Sequence, residues 1–284
     1  MKQQMTKISL LLLFGALTSE GAPPSPSAAA GAKYEHKMEN SNFRLGTGER
    51  VEVQGVSERF VGDSGSFMVD TVTGATLAVR NPSQSGRLPR PLTQDPTEHS
   101  GIVQDYLLKA GVPANEVSGT HVTTTMGGGG PRSSGVEPSK STLLWYTTHL
   151  ERSLQGIPVE GSFAYAALDS AGEVITEGVY WPAIPANVVS NAEALKQKLD
   201  SPTERDAFLA NVVKARPDAK EATGEVKIVH TSAGHHGDFE ARAVYSAVVR
   251  SPNRGKAQLV RFDDTGALVV LADERPSGNN TLKR

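Results

Sequence analysis

Apolar, strand-like runs interrupted by an Asp-to-Gly turn recur along the chain. They lie at residues 67–77, 165–175 and 259–269. In each run the Asp can accept a backbone hydrogen bond that starts a tight turn, and the Gly can take the left-handed conformation that closes it. The turn glycines, spaced each time by nearly one domain length, are Gly74, Gly172 and Gly266. Hairpins repeated at this spacing predict duplicated modules.

A helix is predicted before the second hairpin. Asp95, Pro96 and Glu98 supply an N-cap, a proline for the first helical position and the Glu of a capping box. Gly111 and Pro113 end the helix. Its predicted apolar face consists of Ile102, Val103, Tyr106 and Leu107.

A second helical region is predicted before the third hairpin. It begins at about residue 190, restarts or kinks at Ser201-Pro202, and ends at Pro217. Because the proline lacks a backbone N–H, it suits the first turn of a new helix better than a helix interior. The predicted apolar face consists of Leu195, Leu199, Phe208, Leu209, Val212 and Val213.

Strand-like stretches follow each helical region in the same order. In the first copy they lie at about 115–125, 141–152, 157–169 and 173–180. In the second copy they lie at about 223–231, 239–250, 256–263 and 267–272. A helix laid across a curled antiparallel sheet buries the apolar faces of both, so we predict an α+β fold of duplicated units, each a helix on such a sheet. Residues 43–80 hold strands without a helix, and we interpret them as a partial copy or an edge addition.

The first residues predict the localisation of the protein. Lys2 and Lys7 lie before an apolar stretch at 8–17, and the small residues Ser19 and Gly21 suit a cleavage site. This pattern is typical of a secretory signal peptide, residues 1–21, which is too short for a membrane-spanning helix. Residues 22–41 are rich in Pro, Ser, Ala and Gly and predict a flexible linker. We therefore expect a secreted or periplasmic protein with no membrane span after signal removal.

Composition excludes several function classes. The chain has 29 Lys and Arg against 31 Asp and Glu, a net charge of −2, and no long basic run. This balance argues against nucleic-acid binding, which depends on neutralising phosphates. The cysteine count is zero, which excludes a disulfide framework, a thiolate metal site and a cysteine nucleophile.

Candidate chemistry is sparse. Ser64 lies in the tetrapeptide Gly-Asp-Ser-Gly of chymotrypsin-like proteases, but only His36 precedes it, so we interpret residues 62–65 as a polar turn. His235 and His236, with Asp238, form the only local group of metal-ligand types, and we interpret them as a solvated hairpin tip because adjacent strand residues point apart. The other histidines, scattered and individually uninformative, include His99, His121, His149 and His230. We expect a protein that is not an enzyme, with no cofactor and no metal.

One motif carries a family resemblance. Its members, for which the pattern assigns a structural role, are Gln155, Gly156, Ile157, Pro158, Val159, Gly161, Asp169 and Gly172. Residues 149–182 resemble the propeptide module of thermolysin- and fungalysin-type metalloproteases, the FTP module. Residues 242–266 resemble the PepSY module that follows it in those propeptides, and residues 67–74 are similar to it as well. The resemblance implies a cystatin-like α+β fold.

The elements and the resemblance together predict a domain plan. After the signal peptide and the linker we expect a small β-rich PepSY-like segment at 42–90. An FTP-like α+β domain at 91–185 and a PepSY-like α+β domain at 186–275 follow. Residues 276–284 are a tail.

The resemblance also implies a role, which is to bind a protease domain and assist its folding or hold it inactive. Because no catalytic domain follows before Arg284, we expect action in trans on a secreted zinc metalloprotease, through an exposed sheet face or edge. Two alternatives stay open. One is a structural or matrix module with no specific ligand. The other is a small-ligand-binding protein, with Tyr165, Tyr180 and Trp145 as the polar groups of a pocket.

Overall fold

A computed structural model describes residues 50–81, 89–128, 141–217, 223–250 and 257–274. The predicted signal peptide, linker and C-terminal tail lie outside the described residues. Residues 42–49 of the predicted β-rich segment lie outside them too.

The first half of the chain is mainly antiparallel. Four strands form a meander, β1 (Arg50–Gln54), β2 (Ser57–Val61), β3 (Gly65–Asp70) and β4 (Thr76–Arg80). Helix α1 (Pro96–Lys109) and a short 3₁₀ turn (Ala114–Glu116) follow. The next strands are β5 (Val117–Gly127), β6 (Thr142–Leu154), β7 (Ile157–Glu160), β8 (Phe163–Leu168) and β9 (Val174–Tyr180).

The second half places its helices before its strands. The helices are α2 (Ala186–Asp200) and α3 (Pro202–Ala215), separated at Ser201 as the proline predicts. The strands are β10 (Gly224–His230), β11 (Ala241–Arg250) and β12 (Ala257–Phe262). A 3₁₀ turn (Ala272–Glu274) ends the described chain.

The described strands form one 12-stranded sheet, so the fold is mixed α+β with a large open sheet and three described helices. The strand order is β1-β2-β3-β4-β9-β8-β6-β7-β10-β11-β12, with β5 paired to the free side of β6. The meander β1–β4 therefore extends the sheet beyond β9. The parallel pair β7–β10 connects the two halves.

Helix α1 begins at the predicted Asp95 cap, but the predicted capping box is wrong, because the Asp95 N–H donates to Thr93 Oγ1 and the Glu98 carboxylate accepts from the Thr93 hydroxyl. The Asp95 carboxylate accepts the Thr97 N–H, which satisfies a backbone donor at the helix start. Val103, Tyr106 and Leu107 are buried against the sheet. The prediction for Ile102 is wrong, because this side chain is 40% exposed. It lies at the edge of the apolar stripe and faces solvent.

Both helical regions lie on the same face of the sheet. Leu150 of β6 packs in the cluster under α1, and Leu154 of the same strand packs against the cluster that contains Val188 of α2. Residues four apart on a strand share a face. Further along, Phe208 and Val212 of α3 pack on the second part of the sheet. The opposite face of the sheet carries none of the three described helices.

Three predicted boundaries are wrong. Helix α2 begins at Ala186 rather than near 190, directly after Pro185. The predicted strand 157–169 is two strands, because the backbone at Gly161 has a φ of +99° and turns between them. The predicted strand 267–272 makes only one bridge, Phe262 to Leu268. Leu271 leaves the sheet edge there to pack on Val229 and Val244.

Candidate binding site

The motif first builds a tight hairpin between β6 and β7. Gln155 and Gly156 are its two central residues, and their φ angles are +51° and +73°. Two positive φ angles match the twist of antiparallel strands, as in the primed turns of β-hairpins. The motif needs a glycine at 156 for this reason, and Gln155 is the only non-glycine residue with positive φ in the described chain.

The motif then forms the seam between the two halves. In β7, Val159 pairs with Ile228 of β10, and Glu160 pairs with Val229. Ile157 and Val159 are buried in one cluster with Ile228 and with residues of α2. The residues that carry the resemblance therefore join the two halves in one sheet.

Gly161 lies against His230, the last residue of β10. A Cβ on Gly161 would come within 3.0 Å of both the ring and the carbonyl oxygen of His230. Its backbone, at a φ of +99°, is also in a region that side chains disfavour. Both the contact and the conformation require glycine at this position.

A buried polar cluster surrounds the same joint. The Ser162 hydroxyl lies 2.8 Å from Arg152 Nη1 and 2.8 Å from His230 Nε2. His230 Nδ1 lies 2.9 Å from the Thr231 carbonyl oxygen. Because a carbonyl only accepts, Nδ1 carries the proton, and Nε2 accepts from Ser162. Burial lowers the pKa of His230, as does the nearby charge of Arg152, while the Thr231 carbonyl opposes the shift. The ring is therefore neutral at pH 7.

Arg152 is the centre of this cluster. Its side chain is 2% exposed, and its Nη2 lies 2.7 Å from Glu116 Oε2. It also donates to the Pro182 carbonyl and lies over the Trp181 ring, 4.9 Å from the centroid. Burial lowers the pKa of Arg152, and the Glu116 carboxylate partly offsets this. Because His230 is only 3% exposed, we interpret the Ser162–His230 contact as part of a structural joint rather than as a nucleophile and its base.

Replacing Gly161 tests this joint. We expect Gly156→Ala to lower the free energy of unfolding by about 1–2 kcal/mol, the cost of a left-handed side-chain residue in open space. We expect Gly161→Ala to cost at least about 1 kcal/mol more, because its Cβ also meets His230. Urea unfolding of the two variants measures the difference. Equal losses would contradict the tight contact with His230.

The remaining motif residues build the turn between β8 and β9. Asp169 Oδ1 accepts the N–H groups of Ala171 and Glu173, and Gly172 has a φ of +74°. Arg80 of β4 lies 2.5 Å from Asp169 and 2.6 Å from Glu173. Burial favours the neutral acid, yet the bonds from Arg80 and the backbone hold the pKa of Asp169 below its usual value. The turn therefore also anchors the meander.

The other two Asp-to-Gly turns follow the same rule. The Asp70 carboxylate accepts the N–H groups of Val72 and Thr73. The Asp263 carboxylate accepts those of Thr265 and Ala267. All three turn predictions are confirmed at the level of hydrogen bonds.

A groove with a cavity volume of about 1060 Å³ runs along α2. One wall is a strip of the helix, consisting of Asn187, Asn191, Ala194 and Lys198. Residues spaced by three or four share one side of a helix. Residues 237–243 form the other wall, and Asp264 closes one end, where its carbonyl accepts a hydrogen bond from Lys198. We call this the α2 groove.

The α2 groove contains an open strand edge. Phe262, the last residue of β12, pairs with Tyr245, so residues 241–244 of β11 extend beyond β12. The Glu240 carbonyl accepts the Thr231 N–H on the β10 side. Successive strand residues direct their backbone groups to opposite edges. Ala241 and Ala243 therefore direct their N–H and C=O groups away from β10 and toward the groove.

A second open edge lies on β12 outside the α2 groove. Leu259 and Val248 pair across the two strands and are 51% and 49% exposed. The Arg261 carbonyl bonds outward to Val269, so the backbone groups of Leu259, two residues earlier, also point outward. A shallow cavity of about 270 Å³ lies beside this apolar pair.

The sequence-based site predictions have mixed outcomes. Residues 62–65 form the predicted polar turn, closed by a hydrogen bond from Gly62 to the Gly65 carbonyl. His236 lies between β10 and β11 with its side chain 45% exposed, as the solvated-tip interpretation expects, and its Nε2 also lies 2.7 Å from Asp70 Oδ2 across 166 residues of sequence. His235 lines the α2 groove. In the described part of the chain, no three His, Cys, Asp or Glu side chains are grouped to hold a metal ion.

The predicted pocket aromatics do not converge on a cavity described above. The Tyr180 hydroxyl donates to the Thr231 carbonyl, and its side chain is buried at the junction of the halves. Tyr165 covers Gly178 on the neighbouring strand. Trp145 lies on β6 opposite Thr125 of β5. None of the three lines the α2 groove or the cavity beside Leu259.

Sequence reasoning missed the α2 groove and the buried histidines. The groove exists because β12 ends opposite Tyr245, so that residues 241–244 of β11 extend beyond it. Strand patterns in the sequence do not give such an end point to within a few residues. His99 is completely buried, and its Nδ1 lies 2.9 Å from the Thr148 hydroxyl. Its position on the apolar side of α1, four residues before Val103, was the available signal.

Comparison with protein-family models and with curated proteins finds no significant match for this chain. No helix in the described ranges has the length and apolar character needed to cross a bilayer. The resemblance to propeptide modules therefore depends on the motif residues themselves.

Proposed function

We propose that this chain is a secreted, non-enzymatic binding protein that acts in trans on a secreted metalloprotease, as an inhibitor or a folding partner. The observation that carries the proposal is the position of the motif. Residues 156–161 form the strand and the turn that hold two helix-covered halves in one sheet. This joint supports the proposal that an FTP-like and a PepSY-like module follow one another in this chain.

The finer fold proposal is that each half is a cystatin-like unit. In the first half, α1 lies across β5, β6 and β8. In the second half, α2 lies across β10 and β11, and α3 continues the helical layer. Each half buries the apolar stripe of its helices against an antiparallel sheet, which supports a duplicated unit.

The contacts at the joint support a binding role. A protein that holds a partner by complementary shape gains affinity when its own surface is fixed before binding. Here the parallel pair β7–β10, the contact of Ser162 with His230 and the hydrogen bond from Tyr180 to the Thr231 carbonyl connect the two halves. A partner would therefore meet one preformed surface rather than two mobile domains.

The test is a titration of the mature chain, residues 22–284, into the zinc protease secreted by the source organism, followed by casein cleavage. We expect saturable inhibition with an end point near one-to-one at submicromolar protein, and a stable complex on gel filtration. A gain in the refolding yield of the denatured protease would support the folding-partner role. Absence of inhibition, complex and refolding gain together would overturn the proposal and favour a structural module.

A further inference from the structure

We propose that the α2 groove binds an extended polypeptide segment, which adds to the edge of β11 as a short strand beside α2. The inference depends on the proposed function only for the identity of the partner protein. The chemistry of the segment follows from the groove itself.

The backbone of β11 determines this chemistry. The Glu240 carbonyl points toward β10, and backbone groups point to alternate edges along a strand. Ala241 and Ala243 therefore each direct one N–H and one C=O toward the groove. The backbone groups of Ala241 lie about 7 Å from those of Ala243, because each strand residue adds about 3.3 Å. An extended chain presents the same alternation and can pair with both residues. This is the geometry of strand addition to an open sheet edge.

The dimensions of the groove fit a short segment. The helix wall extends from Pro185 to Lys198, which is about 20 Å at 1.5 Å per helical residue. An extended chain covers this length in about six residues at 3.3 Å each. The groove therefore accommodates a segment of five to seven residues, about the length of a typical strand.

The side chains leave room for such a segment. Ala241 and Ala243 lie on the helix side of the sheet, where they border the cluster under α2. Because alanine is small, the space between the β11 edge and the helix stays open. Alternate side chains of an added strand would point toward Asn187 and Asn191, whose amides both donate and accept hydrogen bonds.

The β12 edge is a weaker candidate for the same segment. Leu259 directs backbone groups outward, but the cavity beside it is only about 270 Å³ and no described helix lines it. A segment added there would gain backbone hydrogen bonds without a second wall. The α2 groove offers both, so side chains as well as backbone can contribute to affinity and specificity.

Proline substitutions test the inference. In Ala243→Pro the groove loses one N–H while the pairing with β10 is kept, since this N–H points away from β10. Leu259→Pro is the matched control, because it removes an outward N–H from the β12 edge outside the groove. Asn191→Trp is a second groove variant, which fills the space and leaves the strand unchanged. Thermal unfolding checks that each variant folds.

The probe is a displayed library of random nine-residue peptides, selected on the mature chain. We expect selected peptides to bind wild type and Leu259→Pro equally, and to bind Ala243→Pro and Asn191→Trp about tenfold more weakly, a loss of about 1.4 kcal/mol. Hydrogen exchange at Ala241 and Ala243 should slow when a peptide is bound. Selection of no peptide, or of peptides that bind the groove variants as tightly as the control, would overturn the inference.

The protease titration separates this inference from the proposed function. If wild type and Ala243→Pro inhibit the protease equally, the function stands and the groove is not its contact site. If peptides bind the groove but the protease is not inhibited, the groove stands and the metalloprotease proposal falls.

Discussion

Replacing Arg152 with methionine is expected to lower the free energy of unfolding by about 3–5 kcal/mol. The guanidinium is almost fully enclosed and bonds Glu116, Ser162 and the Pro182 carbonyl. Methionine fills a similar volume but donates no hydrogen bond. In this variant the Glu116 carboxylate would have as its remaining partner at this joint the Trp181 N–H, which is a neutral donor. Uncompensated charge, rather than lost packing, dominates the expected loss.

Arg242→Met is the matched control. The Arg242 side chain is 51% exposed and forms an ion pair with Glu240. An exposed pair of this kind contributes at most about 1 kcal/mol. Urea unfolding at constant pH measures both variants. The double variant Arg152→Met/Glu116→Gln should regain part of the loss, because it removes the uncompensated charge. Similar losses for Arg152→Met and Arg242→Met would contradict the importance of the buried cluster.

Lowering the pH from 7.5 to 5 is expected to destabilise the folded state. Burial lowers the pKa of His99 and of His230 below the ordinary value of 6.5. Below pH 6.5 the unfolded chain therefore binds protons that the folded chain does not, and stability falls until the folded-state pKa is reached. Each of these two histidines contributes a slope of up to about 1.4 kcal/mol per pH unit.

Urea unfolding at several pH values checks this expectation. His99→Gln and His230→Gln should each reduce the slope between pH 6.5 and 5, because each removes one titrating ring. The turn aspartates act in a separate window. The pKa values of Asp70, Asp169 and Asp263 are lowered from 3.8, so their contribution is lost only as the pH falls below about 4. A stability that is constant from pH 7.5 to 5 would contradict the role of the two histidines.

The features predicted from sequence are those set by neighbours along the chain. The Asp95 cap, the break at Ser201-Pro202 and the turn at Asp169 each depend on residues within five positions. Such local hydrogen bonds and backbone preferences can be identified in the sequence directly. The mixed α+β class follows from the order of these local elements.

The features that were missed depend on residues far apart in sequence. His236 bonds Asp70 across 166 positions, and no local pattern indicates this contact. The burial of His230 depends on Ser162 and Gly161 in the other half of the chain. The α2 groove exists because β12 ends opposite Tyr245, a register that only the assembled sheet determines. For the same reason, the site could not be located from residue types alone.

The pairing of β4 with β9 constrains the order in which the chain can fold. Leu77 pairs with Gly178, about a hundred residues later, the largest separation among the described strand pairs. Closing so long a loop costs conformational entropy, and strand pairs of high sequence separation form slowly. During synthesis the meander β1–β4 emerges first, and the outer edge of β4, which pairs with β3 on its other side, must wait for β9. A nascent chain halted before Val174 would therefore carry an unsatisfied β4 edge, the point at which misassembly with another chain would begin.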